Sequence, residues 1–211
     1  LYEKNKKLER DLLTIAKKWQ IRLVGPNCIG IINLENGLAL PFAPLDNKTI
    51  KKGNVSLVSQ SGGVVNNIIR LFSCENIGLN KFISMGNKLN LNENDYLEFL
   101  ISDPKTKTIG LYLESISNGR YLMDLAGSTD KPIIVLKSNT NKKSNQIAKF
   151  HTSALASDDD IVSSALRQAG IHRVSSLREM VNAFKIFNLT INERKKSGNF
   201  IPLWWPCRYG S

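Results

Sequence analysis

The chain has 211 residues, of which 42% are hydrophobic and 22% charged, values that exclude a wholly disordered polymer. No run approaches the ~20 apolar residues that span a bilayer, and the opening Leu1-Tyr2-Glu3-Lys4 has no initiator Met or hydrophobic signal core. A formal net charge of +11 calls for an acidic partner, either nucleic acid or a phosphate-rich small molecule. The basic residues fall in scattered runs (Lys4 to Lys7, Lys17-Lys18, Lys48 to Lys52, Lys142-Lys143 and Arg194 to Lys196) with no aromatic residues between them. Such runs read as solvated faces, so nucleic acid is not the expected partner. Cys28, Cys74 and Cys207 are too few and too dispersed for a disulfide framework or a CxxC zinc site. A reducing, cytoplasmic setting is the expectation, with no membrane partner.

In chain order, Leu8, Leu12, Leu13, Ile15, Ala16 and Trp19 place one apolar face on a helix over residues 3–19. Residues 21–24 read as a short buried strand broken by Gly25-Pro26. Residues 25–53, rich in turn formers, read as a crossing between domains. A regular alternation then begins. Strands are expected at 55–59, 81–85, 108–113, 132–137 and 171–174. Helices are expected from Gly62-Gly63 to a stop at Gly78, at 93–102 behind an Asn92 N-cap, at 121–126, at 159–169 and at 177–189. Strands separated by helices predict an α/β fold, an open, doubly wound parallel sheet of flavodoxin-like form. The Trp- and Pro-rich tail from Lys195 to Ser211 does not continue the pattern.

Sheets of this kind bind ligands beyond the carboxyl ends of their strands. Ser59-Gln60-Ser61-Gly62-Gly63 follows a strand directly and opens a helix, where free backbone N–H groups and the helix dipole favour a phosphate. An ordinary tight turn with a Ser cap is the competing reading. His151 lies in the polar loop after the fourth strand, either as a surface histidine or as a base, ligand or nucleophile. Glu114 ends the third strand at the same edge, where a carboxylate can steady an imidazole. His172 sits in a strand and reads as structural. No metal site is expected, since no Cys or His partners sit at ligand spacing, and the GxSxG hydrolase elbow is absent.

Taken together, Gly25-Pro26-Asn27-Cys28-Ile29-Gly30, Val58-Ser59-Gln60-Ser61-Gly62, Met85-Gly86-Asn87-Lys88, Leu111-Tyr112-Leu113-Glu114 and His151-Thr152 resemble the NDP-forming acyl-CoA synthetases in order and spacing. That family includes ADP-forming acetyl-CoA synthetase and the α subunit of succinyl-CoA synthetase, and the resemblance covers about residues 8–190. It implies that residues 1–45 are the last helix and strand of a Rossmann-like CoA-binding domain and the crossover. Residues 53–190 would be the flavodoxin-like ligase domain, with an irregular tail at 195–211.

The resemblance further implies an acid–thiol ligase interconverting acyl-CoA, ADP and phosphate with acid, CoA and ATP. His151 would carry the phosphoryl group, with Glu114 as the second catalytic residue. Ser59, Gln60, Ser61 and Gly62 would bind phosphate, and Asn27 and Cys28 would lie at the CoA or acyl end. The implied ligands are CoA, phosphate, a small carboxylic acid and ADP or ATP with Mg2+. Nucleotide and Mg2+ would belong to an ATP-grasp module on a partner subunit or elsewhere in a longer chain. Ser153 and Ala156 stand where the family's histidine loop commonly has Gly, and residues 118–131 look shortened. The alternative is therefore a catalytically degenerate module that keeps the fold and binds CoA or phosphate.

Overall fold

The computed structural model describes residues 2–41, 50–139 and 159–197. Helix α1 (Tyr2–Lys18) is followed by strands β1 (Gly30–Asn33), β2 (Leu38–Pro41) and β3 (Lys52–Ser59). Then come α2 (Gly62–Cys74), β4 (Leu79–Ser84), α3 (Glu93–Ser102), β5 (Thr108–Leu113), α4 (Gly119–Gly127) and β6 (Ile133–Lys137). Helix α5 (Asp159–Gln168), strand β7 (His172–Val174) and helix α6 (Leu177–Ser197) complete the described elements. His151, Ser153, Ala156 and the Trp-rich stretch lie outside the described residues.

One seven-stranded sheet runs in the order β2-β1-β4-β3-β5-β6-β7. The last five strands of that order pair in parallel, as the alternating pattern predicts. Within this parallel set the second strand in sequence lies outside the first, a flavodoxin-like arrangement whose switch point lies between β3 and β5. Both faces are covered, so the central strands are buried and largely apolar, with Ser56 and Ser59 on β3 and Asn80, Lys81 and Ser84 on β4 as buried polar exceptions. On one face, Leu111, Leu113 and Val135 pack with Leu97, Leu100, Leu122 and Leu166 of α3, α4 and α5. On the other, Leu57, Phe82 and Ile134 pack with Val65, Ile68 and Phe72 of α2 and Phe184 of α6. The Phe72 and Phe184 rings meet edge to face at 5.2 Å.

Several expectations need correction. Residues 21–24 form no strand and are not buried. Instead, the Leu23 N–H donates to Asn90 Oδ1 and the Leu23 carbonyl accepts from Leu91 N–H, which ties this segment to the loop after β4. Part of the supposed crossing is a hairpin, β1 with β2, that adds to the sheet antiparallel through β1 and β4. Its strands of four residues are too short for a clear alternation to show. Helix α1 forms, but Leu8, Leu12, Ile15 and Trp19 are exposed and only Ala16 of its expected apolar face is buried. Gly78 does not end α2, which stops at Cys74. It lets β3 and β4 approach, since a Cβ on Gly78 would sit 2.6 Å from the Gly53 Cα. Helix α6 continues to Ser197, beyond the residue 189 expected. The Asn92 cap is present as a capping box with Asp95. Among the described residues, no helix is long and apolar enough to cross a membrane.

Candidate functional site

Strand β3 runs straight into the start of α2, and the turn between them is tightly fastened. Ser59 is fully buried, and its hydroxyl donates to the Ser61 carbonyl at 2.8 Å. Ser59, expected to contact phosphate, here fastens the turn. Ser61 is the N-cap of α2 in extended conformation, and its side chain does not cap the helix. The first turn carries no acidic residue, so the positive end of the helix dipole is not offset by its own side chains. The leading N–H groups have no intrahelical partners, as at any helix start.

Gln60 does something the sequence pattern does not reveal. Its backbone N–H donates to Tyr112 O at 2.9 Å, joining the end of β3 to β5. Its side-chain Oε1 accepts from the N–H groups of both Glu114 (2.9 Å) and Ser115 (3.1 Å). Nε2 donates to Ser115 Oγ at 3.2 Å. The carboxamide thus grips the backbone that follows β5, a contact beyond the phosphate one expected of Gln60.

The same backbone is held from two further sides. Lys137, the last residue of β6, donates through Nζ to the Glu114 carbonyl at 2.8 Å. Lys88 Nζ donates to the Ser115 carbonyl at 2.9 Å and pairs at 2.9 Å with Glu93, which is fully buried. The other Glu93 oxygen accepts the Ser117 N–H. Burial lowers the pKa of Lys137 from the ordinary lysine value.

Asn27 and Cys28 come to this edge on the segment before β1. The Asn87 N–H donates to Pro26 O at 2.9 Å, the Leu89 N–H to Gly25 O at 3.1 Å, and Asn27 Nδ2 to Asn87 Oδ1 at 3.3 Å. Gly86 makes this contact possible, since it has φ +60° and a Cβ there would lie 2.1 Å from Pro26 O. Cys28 is a free thiol of intermediate exposure.

These segments enclose a cleft of about 620 Å³ lined by Asn27, Cys28, Ile29, Gln60, Ser61, Gly62, Gly63, Gly86, Asn87 and Glu114. It opens at the carboxyl ends of β3, β4 and β5, next to the switch point. Of the sequence-derived candidates, Asn27, Cys28, Gln60, Ser61, Gly62 and Glu114 meet here, whereas Ser59 lies beneath the turn. His151 falls outside the described residues. His172 is not part of this lining. Its ring stands 4.7 Å from that of Phe187, and burial lowers its pKa.

Sequence reasoning assigned no role to Asn87, Lys88, Glu93 or Lys137. The signal for Lys137 was a lysine directly after the apolar run Ile133 to Leu136; for Lys88 it was placement in the loop after a central strand. Glu93 gave none, because a carboxylate in a helix's first turn ordinarily serves the dipole. The cleft offers one carboxylate, Glu114, and among the described residues no three His, Cys, Asp or Glu side chains converge as a metal site. These residues do not fit a resident Mg2+. The glycine-flanked helix start does fit an anion of phosphate size.

Comparison with known proteins gives a consistent answer. Residues 52–187 match the family model described as the succinyl-CoA ligase like flavodoxin domain. The chain is 40% identical over 190 residues to acetate–CoA ligase (ADP-forming) II of Archaeoglobus fulgidus, covering 89% of this chain and 28% of the relative. It is 35% identical over 187 residues to the α subunit of acetate–CoA ligase (ADP-forming) II of Pyrococcus furiosus, covering 88% of this chain and 40% of that subunit. The solved acetyl-coenzyme A synthetase 1 of Ca. Korarchaeum cryptofilum, in complex with phosphate and ADP, superimposes with a TM-score of 0.80 at 34% identity. That match covers 87% of this chain and 40% of the solved one. The chain thus spans between about a quarter and two fifths of the length of these relatives. The sheet order, the helix start after β3 and the family match agree: this chain belongs to the succinyl-CoA ligase like flavodoxin domain family.

Proposed function

We propose that this chain is the phosphoryl-carrying part of an ADP-forming acyl-CoA synthetase, an acid–thiol ligase, with His151 as the carrier. The observation that supports this most directly is the convergence of the α2 start, Glu114 and the Asn27-Cys28 segment around one cleft. Phosphate displaces CoA from an acyl-CoA to give an acyl phosphate and the free thiol. The His151 imidazole then attacks phosphorus and releases the carboxylic acid. Finally the phosphoryl group passes from His151 to ADP, giving ATP and the neutral ring.

In this scheme the N–H groups of Gly62 and Gly63 and the Ser61 hydroxyl receive the phosphoryl oxygens. Glu114 holds the second imidazole nitrogen, which keeps the attacking nitrogen unprotonated and steadies the cationic ring after attack. Asn27 and Cys28 sit at the acyl-thiol end. The nucleotide and its Mg2+ bind on an ATP-grasp module, in keeping with the ADP in the Korarchaeum complex and with the Pyrococcus relative being one subunit of its enzyme. Residues 1–45 belong with a CoA-binding domain, a placement supported by the exposed Leu8, Leu12, Ile15 and Trp19 on α1. Residues 53–190 are the ligase domain proper.

The test is intact-protein mass after incubation with Mg-ATP and an ATP-grasp subunit from a relative, beside His151→Ala and a complete relative as control. One acid-labile phosphoryl group on the wild-type chain, absent from the variant, is the expected result. Labelling of the control alone would leave a module that binds CoA or phosphate without transferring it.

A further inference from the structure

We infer that Lys137 is a positioning residue for Glu114: its ammonium carries the fastening of β5 to β6 one residue past the sheet, so that the Glu114 side chain is presented to the cleft from a fixed backbone. This rests on the role proposed for Glu114 above. Backbone pairing of the two strands ends at Leu113, opposite Lys137, with the Ser138 N–H donating to Leu113 O at 2.8 Å. The next carbonyl, that of Glu114, has passed beyond the ladder, and Lys137 Nζ takes it at 2.8 Å while also bonding Ser138 O.

Lys137 completes a ring of supports in which the backbone groups after β5 are held from three sides. Gln60 from β3 holds the two N–H groups of Glu114 and Ser115, Lys137 from β6 the first carbonyl, and Lys88 from the loop after β4 the second. Residues following β3 and β4 and the end of β6 thus fix one dipeptide.

Lysine is an expensive residue for that place. Lys137 is 9% exposed, and burying an ammonium disfavours its charged form. Its lowered pKa has burial as the leading cause, with Arg173 and Lys88 adding to it and Asp159 and Glu114 opposing it. A strand end that needed only filling is served by an apolar side chain at less cost. Lys88 is the less informative position to test, because its loss strands the buried Glu93 charge.

The experiment compares the wild-type chain with Lys137→Met, which matches the length without a donor, and Lys137→Arg, which restores donors. Amide hydrogen exchange is followed residue by residue, and the rate of phosphoryl labelling by the ATP-grasp subunit is measured across Mg-ATP concentrations. In Lys137→Met the Glu114 and Ser115 amides are expected to exchange about tenfold faster or more, while Phe82 and Leu97 are unchanged. Labelling slows by about tenfold at saturating Mg-ATP with the half-saturating concentration unmoved, and Lys137→Arg recovers most of both effects. Three results would overturn the inference: exchange that rises uniformly across the domain, exchange at Glu114 and Ser115 that does not move, or local loosening with an unchanged labelling rate. A wild-type chain that takes no label would sink the proposed function instead, and the exchange of Glu114 and Ser115 would still decide the role of Lys137.

Discussion

Buried charge sits at both ends of the parallel sheet, but only at one end does it border the cleft. At the amino ends of β4 and β5, Lys81 donates to Asp103 at 2.7 Å and to Glu35 at 3.0 Å. Asn80 donates to Asp103 and Thr106, and Thr106 shares a hydrogen bond with Ser56. Lys131 closes the end of α3 by donating to the carbonyls of Leu100, Ile101 and Asp103. In this network Lys81, Asn80, Asp103, Thr106 and Ser56 bond one another while Lys131 bonds backbone, and none of them lines the cleft. At the carboxyl end Lys137 and Lys88 donate to backbone carbonyls, Lys88 also pairing with Glu93, and the α2 start and Glu114 are among the groups that line the cleft beside them. A buried ion pair therefore does not mark a functional site; what matters is whether the network turns its polar groups inward or presents some of them to a ligand.

This contrast can be broken by substitution. Lys81→Met strands Asp103 in the amino-end network and is expected to cost about 3–5 kcal/mol in chemical denaturation, while phosphoryl labelling per folded molecule stays at the wild-type rate. A labelling defect in that variant would mean that the two ends are coupled. Gly86→Ala acts at the other end, forcing a side chain at φ +60° against Pro26 O. It should lose about 3 kcal/mol and, by displacing the Asn27 segment, weaken CoA binding measured by calorimetry. Wild-type CoA affinity would remove that segment from the site.

Gln60→Ala leaves the Glu114 and Ser115 N–H groups without their acceptor, at about 1–3 kcal/mol, and labelling should fall further than stability alone accounts for. The smallest effect is in pH. Burial pushes the Asp103 carboxyl up, but hydrogen bonds from Lys81, Thr106 and the Lys105 N–H outweigh it and set its pKa at about 2, below the ordinary 3.8. The unfolded chain then binds more protons between these values, so this contribution is present above pH 4 and is lost as pH falls through about 2. It amounts to about 2 kcal/mol, and in Asp103→Asn the acid limb of the stability profile should flatten.

Much of the parallel fold was legible because its strands are apolar runs bounded by turn formers. Helix α3 and strand β5 fall where periodicity and the Asn92 cap place them. The hairpin escaped notice because its strands are short, and residues 21–24 misled because an apolar run does not reveal that its backbone partner is a loop. The helix start and Glu114 were legible as candidates from their places at strand ends. The grip of Gln60 on the backbone after β5 was not legible, since a glutamine beside a phosphate turn and a glutamine gripping a neighbouring loop look the same in one dimension. Lys88 with Glu93, and Lys137 with the Glu114 carbonyl, depend on tertiary approach and leave only the faint trace of a lysine at a strand's end.

The measurement closest to the central claim compares 15N–1H spectra of the chain before and after phosphoryl labelling on His151. If the cleft receives the phosphoryl group, the amides of Ser61, Gly62 and Gly63 shift, while those of Asn80 and Thr106 at the opposite end stay in place. A chain labelled on His151 with residues 61–63 unmoved would contradict the account.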